Sequence, residues 1–556
     1  MKSSSITALA GLVLAACATP RTTAPAPGPA PAPATVASPV TSGNIPRSSR
    51  AKAPAEWQLL DEAGDSLPGM GVLRAERELL AGMQPRQTVL VAVIDGGVDT
   101  AQTDLVPHLW RNPKEVPGNG KDDDHNGYVD DTWGWNFIGG RDGRDIDHET
   151  LEVTRLFARC ENIAPLSVGG PDPSPQLCDT VTADYEKKRA EDTQTLDNIN
   201  GAARAQDRAL QILHAAIPDS LTPQRVQNFH PTDAQQVQAR AVFLQLAGSG
   251  LTPDVVAQAQ KEYESRVRYG YDSTYNPRGI VGDDPANLTQ RDYGNRDVMG
   301  PDALHGTHVS GIIGATPDAA DSVRGIAQSV RIMMVRTIPD GDERDKDVAN
   351  AIRYAVDNGA RVINMSFGKP YSPQKSVVDD AVKYADAHGV LMVHAAGNDN
   401  RDIDAGGNFP TAVYLDGGMA KNWIEVGATS WKGGAALVAS FSNYGQKRVD
   451  VFAPGEDILS TIPGNKYERD SGTSMAAPMV TGLAALMLSY YPDLTAADVK
   501  RIILQSASRY PSQMVTKPGA GADAALVPFG TLSATGGIVN AYAALRMAGS
   551  QSAGNQ

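Results

Sequence analysis

The run Val89-Leu90-Val91-Ala92-Val93-Ile94 is apolar at every position and rich in β-branched residues. A strand with one wet face would alternate. An unbroken run suits a strand covered on both faces, as in a parallel sheet. It stops at Asp95-Gly96-Gly97. A similar run from Val330 to Ile338 leads into a helical pattern from Lys346 to Asn358. A strand at 361–365, a helix at 375–388 and a strand at 390–395 follow. This alternation predicts an α/β fold around a mostly parallel sheet. Ligands bind such sheets beyond the carboxyl ends of the strands. The residues there are Asp95, then Ser366-Phe367-Gly368, then Gly397-Asn398.

The segment Ser471-Gly472-Thr473-Ser474-Met475-Ala476-Ala477-Pro478 precedes a stretch, apolar nearly all round, that reaches Tyr490. It reads as a buried central helix. Pro478 is expected in its first turn, where a missing N–H costs least. Ser474 then stands at a helix N-terminus, where free N–H groups and the dipole favour negative charge. A serine there can cap the helix, or act as a nucleophile whose oxyanion those N–H groups stabilise. His305-Gly306-Thr307-His308-Val309-Ser310-Gly311 opens another small-residue helix. Two histidines three apart could hold a metal, but no third ligand of matching spacing follows.

Asp95 in Val-Ile-Asp-Gly-Gly-Val-Asp, His305 in His-Gly-Thr-His-Val-Ser-Gly and Ser474 in Gly-Thr-Ser-Met-Ala-Ala-Pro resemble the three signatures of subtilases, the subtilisin-like serine proteases. They come in the subtilisin order, Asp, His, Ser. Ala395-Ala396-Gly397-Asn398 resembles the family's oxyanion-hole segment, and Asn364-Met365-Ser366-Phe367-Gly368 its cleft strand. The resemblance covers about residues 57–147 and 301–546. It implies a subtilisin-like three-layer fold and a serine endopeptidase acting on protein or peptide substrates. Its catalytic residues would be Asp95, His305 and Ser474, with Asn398 in the oxyanion hole. Ser366, Phe367, Gly368 and Gly397 would line the substrate. The resemblance, not the spacing, selects His305 over His308.

Residues 119–131 read Asn-Gly-Lys-Asp-Asp-Asp-His-Asn-Gly-Tyr-Val-Asp-Asp. Asp122, Asp124, Asn126, a carbonyl at Tyr128 and Asp130 follow the first part of a calcium-loop pattern. The twelfth position holds Trp133 rather than Glu, so the loop is not a complete EF-hand. So many carboxylates in a short loop repel without a cation, which points to structural Ca²⁺.

His305 lies 210 residues after Asp95 (305 − 95), far more than subtilases usually place there. The surplus, 148–300, carries its own helical pattern. Leu196, Ile199, Ala203, Leu210, Leu213 and Ile217 repeat at three and four residues. Thr232-Asp233 can cap a second helix, and Thr252-Pro253 a third. An α-helical insert is expected, suited to a lid, a substrate-selecting wall or a protein-docking arm. Cys160 and Cys178 lie at its base and can pair in an oxidising compartment. Closing a loop of about 19 residues contributes about 3 kcal/mol.

Lys2 precedes an apolar core from Ile6 to Ala16, too short to span a bilayer. It ends in Leu14-Ala15-Ala16-Cys17, which resembles the lipobox of bacterial lipoproteins. That resemblance implies removal of 1–16, lipidation of Cys17, export, and a lipid anchor in the bacterial cell envelope. Residues 17–50 read as a Pro/Ala-rich tether in extended polyproline II. The peptidase domain is expected over 51–147 and 301–548, with Trp57 and Leu59 anchoring its first residues and a polar tail at 549–556. A formal charge of −14 with no basic block excludes a nucleic-acid binder. The competing reading is a lipid-anchored binding protein on a vestigial protease fold. The intact set Asp95, His305, Asn398 and Ser474 argues against it.

Overall fold

The run that opens the folded region forms strand β1 (Val89–Asp95), and its side chains divide between two cores. Val89, Val91 and Val93 face one; Ala92 and Ile94 face the other. This is the two-sided burial that unbroken apolarity demands. The computed structural model describes residues 43–163, 172–317, 323–521 and 525–554. Cys17 and the tether before residue 43 lie outside the described residues.

Six further strands complete the centre: β2 (Gly134–Asn136), β3 (Val330–Arg336), β4 (Val362–Met365), β5 (Leu391–Ala395), β6 (Trp423–Thr429) and β7 (Val451–Pro454). From one edge the sheet runs Ser508–Arg509, Gly537–Ile538, β7, β6, β5, β4, β1, β3, β2. Every pairing is parallel except that between the two edge pieces 508–509 and 537–538. Strands β5, β4 and β1 are consecutive neighbours, so their carboxyl ends leave the sheet side by side. Helices Leu304–Gly314 and Thr473–Tyr490 fill one face through Val309, Ile312, Val480 and Leu483. Helices Asp345–Asp357 and Lys375–Ala387 fill the other through Val348, Ile352, Val378 and Val382. These layers make the α/β, three-layer fold that the sequence implies.

The chain separates into two units. The described residues of one fall within Pro39–Glu186 and Arg268–Gln556; the other takes Lys187–Val267. The insert read as 148–300 is therefore narrower as an independent body. Its flanks are bound into the first unit by buried charge. Arg155 pairs with Glu152 (2.7 Å) and donates to Glu343 O (3.1 Å). Arg278 meets Asp347 (2.6 Å), and Tyr293 donates to the same carboxylate (2.6 Å). A disulfide joins Cys160 to Cys178. In the second unit, Ile199 packs with Leu251, Val256 and Ala259, and Leu213 with Val226 and Ala239. Asp233 and Thr252 cap its later helices; a short helix, Pro223–Asn228, capped by Thr222, was not expected.

Three boundaries shift. Residue 45 was assigned to the tether, but Ile45 is buried with Phe452 and Leu437, and its carbonyl accepts from Gly434 N (3.1 Å). The polar tail continues the last helix, Ala541–Gly554, where Gln551 bonds Asp498 and Arg501. Pro478 lies one turn deeper in its helix than expected. Trp57 and Leu59 are fully buried in the main core.

Candidate active site

Asp95 ends β1 with its side chain 2% exposed. His305 sits in the first turn of the Leu304–Gly314 helix, which crosses that strand end. The approach requires Gly306: a Cβ there would lie 3.2 Å from Asp95 Cβ. His305 Nδ1 lies 2.8 Å from Asp95 Oδ1 and 3.0 Å from Oδ2. A carboxylate only accepts, so Nδ1 carries a proton, and in the neutral ring Nε2 is then the atom with the lone pair. Nε2 has no hydrogen-bond partner among the described residues. His308 is fully buried and different: its Nε2 lies 3.1 Å from the carbonyls of Ile458 and Glu468. Burial lowers its pKa, keeping it neutral.

Ser474 is the second residue of the Thr473–Tyr490 helix. Pro478 four residues on has no N–H, so the carbonyl of Ser474 loses its helical donor. Ser366 Oγ supplies one at 2.9 Å, and Ser474 Oγ donates in return to Ser366 O at 3.1 Å. Ser366 is itself held by Asn364 Nδ2 (2.9 Å), and Asn364 by Thr481 (2.9 Å). The proline thus ties the helix start to the end of β4. Ser474 Oγ rests on Ser366 O, and no hydrogen bond joins it to His305.

Asn398 follows β5. Its Oδ1 accepts from Thr473 N (2.9 Å) and Thr473 Oγ1 (3.0 Å). A backbone N–H can only donate, so the amide orientation is fixed. Nδ2 is left without an acceptor among the described residues, beside the Ser474 helix start. Gly397 N donates to Thr473 Oγ1 (3.0 Å). The structure therefore gathers Asp95 with His305, and Ser474 with Ser366, Gly397 and Asn398, at adjacent strand ends. Phe367 is the exception. Its ring is buried edge-on to His394, centroids 6.2 Å apart, among the core residues.

In the acidic loop, one carboxylate oxygen each from Glu115, Asp122 and Asp124 come within 4.8 Å of one another. Glu115 Oε2 is buried without a partner, which fits a cation. Asp130 is turned elsewhere: it accepts from the N–H groups of Gly118, Asn119 and Gly120 and pairs with Arg296 (2.9 Å). Asn126 is also engaged, accepting from Tyr128 N (2.8 Å) and donating to Asp131 (3.0 Å). Of the five expected ligands, Asp122 and Asp124 meet. Glu115 was missed because it stands upstream of the loop pattern.

The profile of the Subtilase family matches residues 86–530. The chain is 39% identical over 236 residues to a thermophilic serine proteinase of Bacillus sp. (strain AK1), covering 40% of this chain and 55% of that one. It is 37% identical over 206 residues to the major intracellular serine protease of Bacillus subtilis (strain 168), covering 37% and 61%. An intracellular serine protease of Paenibacillus polymyxa is 32% identical over 290 residues, covering 50% and 81%. The chain thus spans little more than half of the first relative's length.

Proposed function

The chain belongs to the subtilase family, and from that premise we propose that it is a serine endopeptidase with Asp95, His305 and Ser474 as its catalytic residues. Ser474 Oγ leaves Ser366 O and attacks the scissile carbonyl carbon. Its proton passes to His305 Nε2 and on to the leaving amine, and water then releases the acyl group by the same route. Asp95 holds the imidazole in the tautomer that can accept and stabilises the imidazolium. Asn398 Nδ2 and the N–H of Ser474 receive the oxyanion. One observation carries the reading: among the described residues His305 Nε2 has no partner while Asp95 holds its Nδ1, and Thr473 holds Asn398 Oδ1 so that Nδ2 is left over at the start of the Ser474 helix. A serine-directed phosphonate should label the protein at Ser474 and leave Ser474→Ala unlabelled. Absence of label on the wild type would overturn the assignment.

The finer features belong to the same proposal. Glu115, Asp122 and Asp124 would hold Ca²⁺, which neutralises the repulsion of three close carboxylates and fixes the loop. Chelation should lower Tm, with recovery on adding Ca²⁺; a Tm indifferent to both would remove the cation. Cys17 would carry the lipid that holds the protein in the bacterial cell envelope, and the helical unit Lys187–Val267 would meet a protein partner or substrate. The mass of the mature N-terminal peptide tests the lipid, since an unmodified Cys17 would refute it.

A further inference from the structure

Two helix starts converge on one small cavity. Helix Asp345–Asp357 begins after Arg344, and helix Lys375–Ala387 begins after Gln374. Neither Arg344 nor Gln374 caps its own helix with its side chain. Asp345 Oδ2 accepts from Gln374 N (2.8 Å), which ties the two starts together. Helix Glu152–Cys160 supplies the remaining wall. The cavity measures about 20 Å³, and its charged lining is Arg155, Arg159, Arg344, Glu152 and Asp345.

The carboxylates of this wall are committed. Glu152 accepts from Arg155 Nε (3.3 Å), Arg155 Nη2 (2.7 Å) and Lys369 Nζ (2.7 Å). Asp345 pairs with the same Lys369 (2.8 Å) through its other oxygen. Arg155 is committed too, since Nη1 donates to Asp342 O (3.1 Å) and Nη2 to Glu343 O (3.1 Å). Arg159 pairs only loosely, with the exposed Asp172 (3.5 Å). Arg344 is different. It is 7% exposed and donates through Nε to Glu149 (2.9 Å), yet its Nη2 is buried without a partner among the described residues. Three guanidiniums therefore line the cavity against two carboxylates that Lys369 also holds. Glu343 adds no charge nearby at neutral pH, because burial pushes its carboxyl up to about 8. Asp342, whose carboxyl burial also raises, is bonded to Glu152 N (2.8 Å).

We propose that this cavity binds a single chloride ion. A water needs about 10–15 Å³ by the same measure, so the space takes one small particle and excludes sulfate, phosphate and carboxylates. Water could accept from Arg344 Nη2. Only an anion also answers the surplus guanidinium and the two helix N-termini, whose N–H groups and dipoles favour negative charge. The ion would fasten the base of the insert, through Arg155 and Arg159, to the starts of two helices that pack on the sheet.

Melting of the full chain at constant ionic strength tests the site, with chloride replacing gluconate. Chloride should raise Tm saturably, by about 2 °C or more once in large excess. Arg344→Gln should abolish that rise. Should this variant not fold, Arg159→Gln should move half-saturation to about tenfold higher chloride. Crystals grown in bromide should show an anomalous peak in the cavity. Equal Tm in chloride and gluconate overturns the proposal. So does a chloride response that both variants keep unchanged, which would be a general salt effect. A cavity without the bromide peak overturns it as well, leaving water as the occupant, and a peak with a flat Tm would mean binding at crystal concentration only. None of these readouts depends on peptidase activity.

Discussion

Two histidine–carboxylate pairs sit on the same sheet with nearly the same geometry. His305 Nδ1 lies 2.8 Å from Asp95, and His394 Nδ1 lies 2.9 Å from Glu425. Each leaves Nε2 without a partner among the described residues. The surroundings differ. His394 and Glu425 face each other across β5 and β6 and are flanked by Phe367 and Trp423. His305 comes from a helix laid over a strand end, at the rim where Ser474 and Asn398 meet. The same pair is enclosed by aromatic rings in one place, and in the other stands where the proposed mechanism needs a proton carrier. Pair geometry alone does not identify a catalytic histidine, because both pairs share it.

The strongest way to break this contrast is to neutralise each carboxylate. Asp95→Asn should lower kcat by about 10⁴, because the wrong tautomer leaves Nε2 protonated. Glu425→Gln should cost less than tenfold in kcat and show itself as about 1–3 kcal/mol of lost stability, the scale of a disturbed buried hydrogen bond. Equal losses of kcat in steady-state assays would mean that the two pairs are not functionally distinct. Next in size is Asn398→Ala. Subtilisin supplies the magnitude, about 10²–10³ in turnover, for loss of its oxyanion-hole asparagine. We expect a fall of that order in kcat with KM little changed; a rise in KM at constant kcat would make Asn398 a ground-state contact.

The proposed catalytic pair and the enclosed pair were not equally legible in the sequence. Asp95, His305 and Ser474 each stand in a local motif that marks a strand end or a helix start, so the fold and the rim could be read from periodicity and resemblance. His394 and Glu425 are separated by 31 residues, and nothing in either strand's pattern announces that they are opposite. Glu115 escaped for the same reason: its place beside Asp122 and Asp124 arises from what the chain returns to touch. Phe367, expected to line the substrate, has its ring buried against His394, because a residue at a strand end can turn either to the cleft or to the core. Even Pro478, plain in the sequence, gains meaning only with Ser366, which supplies the donor that the proline withholds.

A third buried carboxylate sharpens the comparison, since it has neither histidine nor serine. Both oxygens of Glu343 are buried without a partner among the described residues. Burial pushes its carboxyl up to about 8, against the pull of Lys369. An unfolded glutamate releases its proton near pH ~4.3. Between these values the folded state holds a proton that the unfolded state has lost, so stability falls as pH rises through that window. Glu343→Gln removes the titration. Its Tm relative to wild type should therefore be higher at pH 9 than at pH 5, by the equivalent of at most about 4 kcal/mol, at about 1.4 kcal/mol per pH unit across that window. Parallel Tm profiles for the two proteins would show that Glu343 is ionised and solvated in the fold, and that an unpaired carboxylate here carries no cost beside the paired ones.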